Sequence, residues 1–162
     1  MHRVWLLVLK LCLCRRRSPR RWLLKMRAVI VEGNPKYIAN NPLATAYYDD
    51  IEKFLKQNGV STVLRDPGAD YTCPPKADLY IGHSRGAGRA RCMSKGEEYR
   101  FLKFGDPDGV IHPDDAKWQA SRGKPGVPDE PPACHYEFIS AQRTAIVALI
   151  RELKSPKARM LT

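Results

Sequence analysis

The sequence lacks any cysteine or histidine pattern that would hold a structural metal. Its five cysteines include no Cys-x-x-Cys pair and no set with zinc-ligand spacing: Cys12, Cys14, Cys73, Cys92 and Cys134. This absence argues against a metal site. An odd, scattered set of cysteines is typical of reduced thiols, so the sequence predicts a cytoplasmic protein whose cysteines are free.

The sequence also lacks an apolar run long enough to cross a bilayer. Residues 4–14 are mostly apolar but are interrupted by Lys10, and an arginine-rich stretch follows them. A secretory signal would carry its charges before the apolar core, which is the reverse order. We interpret residues 1–25 as an extension upstream of the native chain, and we expect membrane contact only if that extension is real.

The body of the chain has little excess of positive charge. The formal net charge is +11, but residues 1–25 hold eight of the 28 lysines and arginines and no acid. The remaining residues carry 20 bases against 17 acids, so nucleic-acid binding by the folded body is not expected. With a hydrophobic fraction of 43%, we expect one globular domain over residues 26–154 and a tail over residues 155–162.

Apolar strands alternate with amphipathic helices along this domain. The patterns predict strands over residues 27–32, 60–65, 77–81 and 99–104, and helices over residues 42–58, 87–100 and 141–153. Asn41 is expected to cap the first of these helices, with Pro42 as its first residue. Such alternation is typical of a three-layer α/β fold, with a mostly parallel sheet of four to five strands and helices on both faces. Ligands bind such sheets beyond the carboxyl ends of the strands, so those turns are the places to search for a site.

The turn after the third strand contains the most informative motif. Residues 82–86, Gly-His-Ser-Arg-Gly, fit Gly-x-Ser-x-Gly, the spacing of a nucleophile elbow. A serine on a sharp, strained turn needs neighbours without Cβ atoms. The same geometry aims the next backbone N–H, that of Arg85, at a developing oxyanion. An ordinary glycine-rich turn after a core strand has the same composition, so the motif alone leaves both interpretations open.

Three motifs in the order Ser, Asp, His resemble the α/β-hydrolase family, especially its small, lidless serine hydrolases. The first is the elbow, the second is the turn over residues 104–110, and the third is residues 133–138 before the last amphipathic helix. The resemblance covers residues 26–154. It implies that Ser84 is the nucleophile, that His135 is the general base, and that Asp108 orients the imidazole.

The resemblance also implies an oxyanion hole and a substrate class. The donors would be the backbone N–H of Arg85 and one N–H from the turn after the first strand, at Gly33 or Asn34. The substrate would be a small molecule with an ester or similar acyl bond. No metal and no organic cofactor is expected.

The identity of the acid stays open at this point. Asp106 competes with Asp108, and Asp-Pro-Asp-Gly is itself a common turn signal. We interpret Asp114 and Asp115 as a helix cap. His112 lies in the same stretch and is expected on the surface.

Two other functions remain possible from the residues. Gly82, Gly86 and Gly88 lie between a strand and a helix, so they could cradle a phosphate. The counter-charges would be three arginines: Arg85, Arg89 and Arg91. The protein would then be a nucleotide- or phosphate-binding α/β domain, although the spacing is neither Gly-x-Gly-x-x-Gly nor a P-loop. A third hypothesis is a hydrolase-like binding module without activity.

Overall fold

The computed structural model describes residues 25–67 and 72–155. The interpretation of residues 1–25 as an upstream extension therefore concerns residues outside the described part, apart from Lys25. The same holds for the expected tail beyond Ser155.

Four parallel strands form one sheet in the order β2-β1-β3-β4. The strands are β1 (Met26–Val31), β2 (Val60–Asp66), β3 (Leu79–His83) and β4 (Phe101–Phe104). The chain moves from β1 outward to β2 and from β3 outward to β4, so the direction of winding reverses between β1 and β3. In open α/β sheets this reversal marks the crevice in which ligands bind.

The helices follow the predicted pattern in part. They are α1 (Pro35–Ile38), α2 (Pro42–Gln57), α3 (Pro113–Ser121) and α4 (Ser140–Lys154). Asn41 caps α2 as predicted, because its side chain accepts hydrogen bonds from the N–H groups of Leu43 and Ala44. Gly59 ends it with a φ of 85°.

The helix predicted over residues 87–100 is replaced by two shorter 3-10 helices. The first, here called the elbow helix, is Ser84–Cys92, and the second is Glu98–Arg100. Gly96 separates them with a φ of 92°, a backbone conformation that a right-handed helix cannot contain. A third 3-10 helix, Ala133–Tyr136, carries His135.

The two faces of the sheet pack against different layers. Side chains of successive residues in β1 alternate between the faces, and residues 28–31 are all fully buried. Ala28 and Ile30 face the larger core, which contains residues from α2 and α4: Tyr47, Tyr48, Ile51, Leu55, Ile146, Leu149 and Ile150. Val29 and Val31 belong to a second cluster with Tyr80 and Phe101, against which Ala90 of the elbow helix packs. The expected three-layer α/β fold is confirmed.

A disulfide corrects the expectation of reduced cysteines. Cys73 and Cys92 are bonded, with their Cα atoms 5.5 Å apart, while Cys134 is free. The bond joins the segment before β3 to the last residue of the elbow helix, 19 positions further along the chain. Because disulfides persist in oxidising compartments, the cysteine pattern no longer supports the cytoplasmic expectation. In the described ranges, no helix has the length and apolar character needed to cross a membrane.

Candidate functional site

Ser84 occupies a sharp turn at the end of β3. Its φ is 54°, in the left-handed region that costs a non-glycine residue about 1–3 kcal/mol. A Cβ at Gly82 would lie 2.5 Å from the Phe101 ring, and a Cβ at Gly86 would lie 2.2 Å from the carbonyl oxygen of Val31. Both outer positions of the Gly-x-Ser-x-Gly motif therefore require glycine, because the elbow helix packs directly against the neighbouring backbone.

The elbow opens into a cavity of about 280 Å³. The turn after β1 contributes Gly33 and Asn34 to its wall, and the turn after β4 contributes Gly105 and Asp106. The cavity thus lies where the winding of the sheet reverses, at the carboxyl ends of the strands. This is the position at which open α/β sheets bind their ligands.

His135 and Asp115 form a buried pair behind this cavity. Nδ1 of His135 lies 2.9 Å from Oδ1 of Asp115, and each side chain is only 1% exposed. A carboxylate oxygen accepts, so Nδ1 of His135 donates the hydrogen of this bond. A Cβ at Gly105 would lie 3.1 Å from Cε1 of His135, so the imidazole sits against the turn that lines the cavity.

The structure does not pair Asp108 with His135, and this corrects the expected acid. Asp108 is exposed at the tip of its turn, where its N–H donates to Oδ1 of Asp106 at 2.9 Å. Gly109 donates its N–H to the carbonyl oxygen of Asp106, so the stretch is the turn that its composition signals. Asp106 lines the cavity but forms no hydrogen bond with His135 among the described residues.

Asp115, and not Asp108, forms the hydrogen bond to Nδ1 of His135. The cap of α3 is His112, whose Nδ1 accepts from the N–H of Asp114, so Asp115 is left to face inward. Asp115, Trp118 and Gln119 lie three and four residues apart and share one face of α3. Trp118 contacts the His135 ring, with centroids 5.4 Å apart. This helical spacing is the feature of the sequence that could have identified Asp115 as a residue on the same face as Trp118.

One of the two expected donors after β1 is already occupied. The N–H of Gly33 donates to Oη of Tyr48 at 2.9 Å, so Gly33 is excluded as an oxyanion donor. The backbone N–H of Asn34 forms no hydrogen bond within the described residues, while its side chain caps α1. Arg85 follows Ser84 directly, in the first turn of the elbow helix. Asn34 and Arg85 therefore stay as the expected donors.

His83 and Tyr48 connect the end of β3 to the turn after β1 and to the 3-10 helix that carries His135. Nε2 of His83 lies 2.8 Å from the carbonyl oxygen of His135, which can only accept, so Nε2 carries the hydrogen. Nδ1 of His83 then accepts from the Tyr48 hydroxyl at 2.8 Å. Burial, reinforced by the nearby ring of His135, holds the pKa of His83 well below its ordinary value, which keeps the ring neutral. Each group in this series donates to the next one. Gly33 donates to Tyr48, Tyr48 to His83, and His83 to the carbonyl oxygen of His135.

No family model, curated protein or solved structure matches this chain significantly. The chemistry of the site therefore carries the functional assignment. Within residues 25–67 and 72–155, no group of three or more histidine, cysteine and acidic side chains is arranged to hold a metal ion.

Acidification should destabilise the fold through His83. The unfolded chain protonates this histidine near pH ~6.5, whereas the buried ring stays neutral in the native state. The free energy of unfolding should therefore fall below that pH by up to about 1.4 kcal/mol per pH unit. Urea unfolding of the unmodified protein and of His83→Gln, at about pH 7 and about pH 5, measures the difference. Equal losses in the two proteins would contradict a neutral, buried His83.

Proposed function

We propose that this protein is a serine hydrolase that cleaves an ester or related acyl bond. Ser84 is the nucleophile, His135 is the general base, and Asp115 orients the imidazole. The observation that carries the proposal is the buried 2.9 Å bond between Asp115 and His135, next to the turn that shares a cavity with Ser84. A carboxylate on Nδ1 fixes the tautomer that lets Nε2 accept the serine proton.

The order of the strands is compatible with a reduced α/β-hydrolase-like protein. The nucleophile turn follows β3, an interior strand, and the carboxylate and the histidine come later in the chain. This is the order Ser, Asp, His that the family uses. Fold alone does not imply activity, so the proposal rests on the three side chains and not on the sheet.

The reaction would proceed through an acyl-enzyme. Oγ of Ser84 attacks the carbonyl carbon of the ester while its proton passes to Nε2 of His135. The carbonyl electron pair moves onto oxygen, where the N–H groups of Asn34 and Arg85 stabilise the negative charge. The oxyanion collapses, the leaving alkoxide takes the proton from His135, and a water molecule activated by the same histidine releases the acid. Ser84 and His135 share no hydrogen bond in the described structure; in unliganded enzymes such contacts often tighten only with substrate bound.

The phosphate-binding alternative gains no support from the contacts. Arg89, one of the expected counter-charges, is buried and forms two hydrogen bonds to the Asp66 carboxylate, at 2.6 and 3.2 Å. Gly86 packs against the end of β1 instead of leaving room for a ligand. Both contacts hold the elbow helix against the sheet, so Arg89 and Gly86 stabilise the fold.

A fluorophosphonate probe tests the proposal directly. It should label the protein, and Ser84→Ala should abolish both labelling and the hydrolysis of 4-nitrophenyl acetate. Ser94→Ala, at an exposed serine beyond the elbow helix, is the matched control and should stay labelled. A folded protein that neither reacts with the probe nor exceeds Ser84→Ala in hydrolysis would be an inactive binding module.

A further inference from the structure

Arg122 lies on the cavity that Ser84 lines, where its exposed side chain contacts Trp118 and Gln119. It follows α3 directly, and its guanidinium carbon is 5.0 Å from the centroid of the Trp118 ring. Its Nη1 donates to Oε1 of Gln119 at 3.4 Å. Gln119 is itself fixed, because its Nε2 donates to the carbonyl oxygen of Gly105 at 2.9 Å. Trp118 is fixed by a 3.2 Å bond from Nε1 to the carbonyl oxygen of Pro128.

The guanidinium of Arg122 brings a positive charge to the cavity. Among the described residues no carboxylate lies within ion-pairing distance of Arg122. The other charged side chains that line the cavity are Arg85 and Asp106. Oδ1 of Asp106 already accepts the N–H of Asp108. Arg122 is therefore a positive charge at the cavity that no described carboxylate pairs with.

We infer that the substrate carries a carboxylate close to the scissile acyl bond and that Arg122 binds it. The guanidinium presents a planar fork of donors that matches a carboxylate, and stacking on Trp118 restricts it to few orientations. Ser84 and Arg122 line the same cavity of about 280 Å³, so one small ester can contact both side chains. This inference rests on the proposed hydrolase function, because it names the substrate class of the same site.

Two pairs of esters of matched size test the inference. The first pair, 4-nitrophenyl butyrate and 4-nitrophenyl hemisuccinate, places the carboxylate on the acyl group. The second pair, 4-methylphenyl acetate and 4-acetoxybenzoate, places it on the leaving group. In at least one pair kcat/KM should be roughly 10- to 100-fold higher for the anionic ester, the range expected of a hydrogen-bonded charge pair. High salt should reduce this ratio.

Variants of Arg122 test whether this residue causes the preference for anionic esters. Arg122→Gln should bring the ratio of anionic to neutral kcat/KM close to one, whereas Arg122→Lys should keep part of it. Arg151→Gln, at an exposed position of α4, removes the same charge elsewhere and should keep the full ratio. If all four esters are left intact, the proposed function fails. If esters are hydrolysed with a ratio near one in both pairs, or if Arg122→Gln keeps the ratio, only the substrate inference fails.

Discussion

The Asp115→Asn variant should lose about 10⁴-fold in kcat for ester hydrolysis while keeping its fold. The amide of asparagine can donate its N–H to Nδ1 of His135, which moves the imidazole hydrogen to Nε2. Nε2 then has no lone pair with which to accept the proton of Ser84. The volume of the side chain hardly changes, so the loss reports on the tautomer and not on packing. Steady-state kinetics and the rate of fluorophosphonate labelling measure it.

Asp108→Asn provides the matched control for this experiment. Asp108 is exposed at the tip of its turn, so this substitution should leave kcat within about two-fold of the unmodified protein. Far-ultraviolet circular dichroism should show both variants folded. The downfield proton resonance expected for Nδ1–H of His135 should disappear in Asp115→Asn alone. A large loss in Asp108→Asn, with Asp115→Asn active, would reverse the assignment of the carboxylate.

Gly86→Ala should destabilise the domain by about 3 kcal/mol or more, enough to unfold a domain of marginal stability. The added Cβ would lie 2.2 Å from the carbonyl oxygen of Val31 and 2.5 Å from that of Glu32. Both oxygens belong to the backbone at the end of β1, which cannot retreat because β1 is paired on both sides. The elbow helix would have to move away from the sheet. Urea denaturation gives the free energy of unfolding directly.

Gly88→Ala tests whether this effect is steric. A Cβ at Gly88 would meet nothing within 4 Å, and its φ is not positive. This substitution should therefore change stability by less than about 1 kcal/mol, in the stabilising direction, since alanine restricts the unfolded chain. Equal destabilisation by the two substitutions would show that the helix simply tolerates no alanine, and that the contact with β1 is not the cause.

Local patterns were sufficient to predict most of the fold. The apolar run of β1, the Asn41-Pro42 start of α2 and the amphipathic spacing of α4 each depend on neighbouring residues, and each was found in the predicted place. The elbow was recognisable for the same reason, because the turn needs glycines at fixed offsets from Ser84. Gly96 is the exception: its positive φ divides the predicted helix, and the sequence around it does not signal that conformation.

The residues missed by sequence reasoning are those whose partners are distant in the chain. Asp108 has the better local spacing, yet Asp115 reaches His135 because α3 turns that face inward, a consequence of how the helix docks. The Cys73–Cys92 bond also depends on tertiary placement. Gly33 looked suitable as an oxyanion donor until Tyr48, on α2, was found to accept its N–H. Helix docking, and not local propensity, decided each of these contacts.

The order of the strands has a consequence for how the sequence of such a protein can evolve. β1 and β3, the two strands that are paired on both sides, support the turns that carry Asn34 and Ser84. The wall around Arg122 instead belongs to peripheral segments that no strand of the sheet contains. Under the proposed function, the choice of substrate can therefore change through substitutions at the periphery, while Ser84 stays on a turn that an interior strand supports.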